Sequence, residues 1–207
     1  MRRKSSSVRQ NEIANIARDL IIHEGVQGVT IKNIAKKSKI SEAAIYRHFK
    51  DKNAILTMVI NAFQAQLMQA ITVSAQANKN SLERLKEIMK THMIFTEKKK
   101  GMLFALTAES IYFNDDRLRR RILGVIEQYK AKIKTILADA KKEGVLREDV
   151  NLDAVSLAFF GLIQAAIVQF ALTNYTVAPI TKFQTLWNIF LKGIESKKYS
   201  KERVYAR

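Results

Sequence analysis

Cysteine is absent from the 207-residue chain, and with it disulfides, thiolate nucleophiles and cysteine-ligated zinc. Proline occurs once and glycine seven times, so the residues that most often interrupt helices are scarce. With few β-branched runs, this predicts an all-α fold. Histidine is limited to His23, His48 and His92, none of them paired at metal-ligand spacing. No phosphate-cradling glycine loop, His-Glu-x-x-His run or nucleophile elbow is present. An enzyme, a metal site and a bound cofactor are therefore not expected. The opening MRRKSSSVRQNE has no apolar stretch behind it, which argues against a secretory signal and for a basic arm. Arg2, Arg3 and Lys4 of that arm are candidates for a neighbouring minor groove. Together with the missing cysteine, this makes a reducing cytoplasm the expected compartment.

Acidic residues are the other shortage. Against 36 Lys/Arg there are 19 Asp/Glu, a formal net charge of +17. The excess is densest at the amino end, where residues 1–52 hold 12 Lys/Arg against 5 Asp/Glu, while residues 53–191 hold 18 against 12. Such an excess points to a polyanion, either nucleic acid or an anionic membrane surface, and solubility alone is its blander cause.

Apolar residues recur at helical spacing along most of the chain. A first helix runs from about Val8 to Glu24 through Ile13, Ile16, Ala17, Leu20 and Ile21, and Gly25 ends it. Thr30 and Ser41 each stand one residue ahead of a short periodic segment and are N-cap candidates. A fourth helix begins near Lys52 and continues towards Ile71. Ser81 is placed to cap a fifth, Gly101 opens a sixth, and Asp116 to Lys142 forms one unbroken stripe ended by Gly144. Asn151 caps a segment to Thr173, and a last helix spans about Pro179 to Ser196. The expected architecture has nine helices, with a small head at 1–52 and a larger bundle at 53–207, the fourth helix linking them.

The stretch Ala154 to Leu172 contains no charge and is apolar all round, so it is either a membrane span or a helix covered on two sides. Ser156, Gln164 and Gln169 are costly in lipid. A helix with one face on its own bundle and the other on a second subunit fits better. Its partner is the last helix, and the expected interface draws on Phe159, Leu162, Ala166 and Phe170 with Phe183, Trp187, Phe190 and Ile194.

Residues 30–52, TIKNIAKKSKISEAAIYRHFKDK, are the most informative segment. Two short helices joined by three or four residues would bury Ile31, Ile34 and Ala35 on one and Ile45 and Phe49 on the other. Lys32, Lys36, Lys37, Lys39, Glu42, Arg47, Lys50 and Lys52 are left facing outward, with Tyr46 and His48 between them. This is the layout of a helix-turn-helix, whose second helix enters the DNA major groove. Base reading falls to Lys32, Glu42, Ala43, Ala44 and Arg47: an arginine can fork to guanine, a glutamate can accept from cytosine, and alanine methyls can meet thymine methyls. Lys36, Lys37 and Lys50 are better read as a solvated face.

The order Gly25, Thr30, Ile34-Ala35, Ser41, Ile45-Tyr46-Arg47-His48-Phe49 and Lys52 resembles the DNA-binding domain of TetR-type (tetracycline-repressor-like) transcriptional regulators. Farther on, the nine-helix outline and the turn Glu143-Gly144-Val145-Leu146-Arg147 are similar to that family as well. Lys39 departs from the family's usual turn glycine, and Ala43 from another common glycine. The resemblance implies that Thr30, Tyr46, His48 and Lys52 contact phosphates, with Ser41 beside them. It implies a homodimer on a palindromic duplex, repression as the usual outcome, and a small-molecule effector within the carboxy-terminal bundle. Phe63, Met89, His92, Met93, Phe104, Tyr112, Tyr129, Phe160 and Gln164 are the candidate lining, which suits an elongated apolar ligand. The rival readings are an architectural DNA binder indifferent to sequence and a basic membrane-associated helical protein.

Overall fold

The computed structural model describes residues 5–76 and 80–205, with side chains as far as residue 201. The arm residues Arg2, Arg3 and Lys4 lie outside it. Ten α-helices stand among the described residues: α1 Ser6–Glu24, α2 Ile31–Ser38, α3 Glu42–Tyr46, α4 Lys52–Gln76, α5 Ser81–Lys98, α6 Met102–Tyr112, α7 Asp116–Lys142, α8 Leu152–Leu172, α9 Phe183–Ile194 and α10 Lys197–Tyr205. The tenth is one more than expected; its sequence KKYSKERVY has no apolar stripe to announce it.

The caps show why the helices begin where they do. Thr30 Oγ1 accepts from the Asn33 N–H at 3.0 Å, Ser41 Oγ from the Ala44 N–H at 3.2 Å, and Asn151 Oδ1 from the Ala154 N–H at 3.0 Å. Each satisfies a backbone donor that has no partner inside the helix. Ser81 does not cap α5. Asn80 does, accepting from the N–H groups of Leu82 and Glu83 at 2.8 and 3.2 Å, while the Ser81 hydroxyl donates to Glu143 at 2.6 Å. Gly25 and Gly144 end α1 and α7 at φ of 74° and 72°, conformations that a Cβ would strain.

The chain divides into two compact units, one of residues 1–66 and 102–124, the other of 67–101 and 125–207. The expected head boundary at residue 52 falls inside the first unit. The start of α4 buries Ile55, Leu56, Val59 and Ile60, and α6 supplies polar partners to the head. The second unit is a helical bundle whose buried residues include Leu85, Ile88, Met89, Tyr129, Ile133, Phe159 and Ile163. Two helices, α4 and α8, are long and apolar enough to cross a membrane by length and composition, so α8 is not alone in this. In α4 the apolar residues from Ile55 to Ile71 form a buried stripe, which is what a core helix requires.

Candidate nucleic-acid interface

In the first unit α1 packs on α2 and α2 on α3. Ile34 and Ile45 are fully buried and Phe49 nearly so; Ile31 is only half-buried. Those anchors fix α2 and α3 against α1 and leave their other faces to solvent. The turn between them is closed at Lys39, which takes the left-handed conformation at φ 54°, ψ 42°. A residue with a Cβ adopts this at a cost of order 1 kcal/mol, which is why glycine is the ordinary choice. Ser38 adds a bond from its hydroxyl to the Ile34 carbonyl at 2.6 Å.

The end of α3 is held by α1. Ser6 Oγ and His48 Nδ1 are hydrogen-bonded at 3.1 Å, and Gln10 Nε2 donates to the His48 carbonyl at 3.2 Å. Sequence spacing gave no signal for this clamp, since its partners are about forty residues apart. Asp51 caps α4 by accepting from the Ala54 N–H at 2.7 Å and pairs with Arg117 at 2.7 Å. The Arg117 hydrogen bond holds its carboxyl below the usual carboxylate range, against the opposing effect of burial.

Thr30, Lys32, Ser41, Glu42, Ala43, Tyr46 and Arg47 are exposed, and Ala44, His48 and Lys52 are half-buried. All but Lys52, which opens α4, lie on α2, on α3 or in the turns that bound them. Lys37 pairs with Glu24 at 2.7 Å, in keeping with a solvated face. Lys52 is the least free. Its ammonium is 3.8 Å from Glu109 of α6 and 3.5 Å from the Val26 carbonyl oxygen.

The expected effector lining is divided between the two units. Phe63, Phe104 and Tyr112 belong to the first unit, and Tyr112 is 82% exposed, so that unit does not enclose it. In the second unit Met89, His92, Met93 and Tyr129 are buried, with Phe160 and Gln164 half-buried. The His92 and Tyr129 rings are 4.9 Å apart, Nδ1 and the phenol oxygen are hydrogen-bonded at 3.0 Å, and Phe160 lies 5.7 Å from Tyr129. Burial pushes the His92 imidazole down to about 3 and raises the Tyr129 phenol well above its ordinary range, so both stay neutral.

The expected interface residues divide between the interior of the subunit and its outward face. Phe159, Ala166, Phe170, Trp187, Phe190 and Ile194 are buried within the subunit, Phe159 and Phe190 stacking edge to face at 5.1 Å. Leu162 and Phe183 are half-buried. The outward face of α8 and α9 presents Leu157, Ile189 and a groove of about 550 Å³ whose lining includes Gly161, Ala165 and Gly193 together with three of the expected residues, Leu162, Phe190 and Ile194. In a helix apolar on every side, periodicity carries no information about which face turns inward.

Residues 13–59 match the family profile described as "Bacterial regulatory proteins, tetR family", and residues 79–195 match "Tetracyclin repressor-like, C-terminal domain". The chain belongs to the TetR family. As a TetR-family protein it is a DNA-binding regulator and not an enzyme. The nucleoid occlusion factor SlmA of Vibrio atlanticus is 25% identical over 192 residues, 93% of this chain and 98% of that protein. Among solved TetR-like folds, the fatty acid degradation regulator FadR of Bacillus halodurans superposes with a TM-score of 0.80 at 16% identity, over 93% of this chain and 98% of that one. FadR of Bacillus subtilis, solved with stearoyl-CoA, gives 0.76 at 17% identity over 89% and 98%.

Proposed function

We propose that this TetR-family protein is a sequence-specific regulator that binds a palindromic duplex as a homodimer, in the cytoplasm and apart from any membrane. The observation that carries this is the capped, anchored helix-turn-helix with Glu42, Ala43, Tyr46 and Arg47 exposed on and just beyond a five-residue α3. Glu42, Ala43, Ala44 and Arg47 read base edges from α3, with Lys32 on α2 beside them. Thr30, Ser41, Tyr46, His48 and Lys52 set register on phosphates. The outward groove of α8 and α9, with small residues along it, is the surface on which the second copy docks. Two heads then read half-sites about one helical turn apart.

We further propose that the bundle of the second unit binds a small apolar effector that biases head spacing and so relieves repression. The FadR structure solved with stearoyl-CoA supports an elongated ligand, and the buried His92–Tyr129 pair is the polar group such a ligand would meet.

Selection from a random duplex pool tests the reading, with a palindrome as the expected product. Affinity for that palindrome should fall with salt at a log–log slope of about −5 to −9, as for roughly 6 to 10 neutralised phosphates. A flat salt response removes the DNA interface as drawn. A second reading rests on the SlmA relatives, which match along nearly their whole length. On that reading the output is nucleoid occlusion, and chromosomal mapping would return many dispersed sites in place of a few beside promoters.

A further inference from the structure

Lys52 stands at the first residue of α4, where the reading above places a phosphate contact. In the free protein its ammonium turns towards α6, 3.8 Å from Glu109 Oε1 and 3.5 Å from the Val26 carbonyl. Glu109 is not a loose surface carboxylate. Its side chain is 16% exposed, and its other oxygen accepts from Gln27 Nε2 at 2.9 Å. Gln27 sits in the 3-10 turn Val26–Gly28, two residues before the backbone reaches Val29 and then Thr30, the cap of α2. One carboxylate on α6 therefore touches both the entry to α2 and the start of α4.

The same groups border a cavity of about 290 Å³ floored by Leu56 and Leu118. It gives the flexible lysine chain room to move. At 3.8 Å the ion pair is longer than a hydrogen bond, and the one bond the ammonium donates, to Val26, is long at 3.5 Å, so it can change anions without breaking a tight bond. A phosphate and Glu109 cannot both be neutralised by one lysine. When Lys52 turns to DNA, Glu109 is left partly desolvated with Gln27 as its remaining donor, which opposes binding on any duplex, whatever its sequence.

We propose that Glu109 is a positioning residue that competes with DNA phosphate for Lys52, so that the placement of α6 sets a sequence-independent part of DNA affinity. This rests on Lys52 being a phosphate contact, and the test separates the two statements.

The full-length protein is titrated by anisotropy against a labelled random-sequence duplex of about 40 base pairs over a range of salt, so that the electrostatic part of binding is read without an operator. Glu109→Gln keeps the shape and can still accept from Gln27; it should bind about three- to tenfold more tightly. Lys52→Met should bind more weakly and lose about 0.9 from the magnitude of the salt slope for each phosphate contact removed. In the Lys52→Met background, Glu109→Gln should change nothing. Unaltered or weaker binding by Glu109→Gln at unchanged melting temperature overturns the proposal, as does an equal gain in both backgrounds, which would be a general effect of net charge. If Glu109→Gln melts early, Glu109→Asp, which retracts the charge by one methylene, must give a smaller gain of the same sign. A Lys52→Met protein with unaltered affinity and slope would remove the phosphate contact itself.

Discussion

The first unit is joined by polar links between elements distant in sequence: Ser6 and Gln10 to His48, Asn53 to Asp115, Arg117 to Asp51, Gln27 and Lys52 to Glu109. The second unit has such links too, Ser81 to Glu143 and Arg84 to Asp139, and both units have aliphatic cores, but only in the second does a hydrogen-bonded pair among the described residues, His92–Tyr129, lie wholly inside. Polar links can be exchanged for links to another polar surface at little net cost where each partner finds a replacement, and at a cost in affinity where one, such as Glu109, does not. An apolar interior has no such alternative, and its shape is set by packing. The links open to exchange beside the candidate DNA contacts are those of the first unit.

The largest expected effect that would break this contrast lies in the second unit. Phe159 is fully buried against Tyr129 and Phe190, and Phe159→Ala should cost about 3–5 kcal/mol in chemical denaturation. A loss below about 1 kcal/mol would mean that the bundle is not packed as described.

Acid offers the next test. Folded His92 resists protonation down to about 3, whereas an unfolded histidine takes up its proton near 6.5. Its contribution is whole above pH 6.5 and declines as pH falls from there towards 3, by about 1.4 kcal/mol per pH unit. His92→Gln, which stays neutral, should show a shallower decline than the parent in denaturation across that window. Equal slopes would place His92 in water.

The smallest effect belongs to the head. Ser41→Ala removes the cap of a five-residue helix and should cost about 1 kcal/mol. Because α3 is short, the same change should weaken DNA binding; a melting temperature that falls while affinity holds would show that α3 forms without its cap.

Much of the head, and the helix ends of the bundle, were legible in the sequence because their signals are local. Thr30, Ser41 and Asn151 cap as their positions required, Gly25 and Gly144 close their helices, and Lys39 takes the left-handed turn expected where glycine usually stands. The failures share a different cause. Which side of α8 turns inward depends on neighbours, and an apolar sequence on all sides does not encode it. Gln27 and Glu109 are 82 residues apart, so no spacing rule connects them. Asn80, one residue earlier, caps α5, and the Ser81 hydroxyl is taken up by Glu143 in the turn after α7.

The left-handed lysine carries a consequence of its own. Glycine at position 39 would relax the backbone yet delete a cation whose stem leaves from a fixed point beside α3. Sturdiness and reach towards an anionic polymer are thus set against each other in one side chain, and drift at this site should leave a record of which of the two selection has favoured.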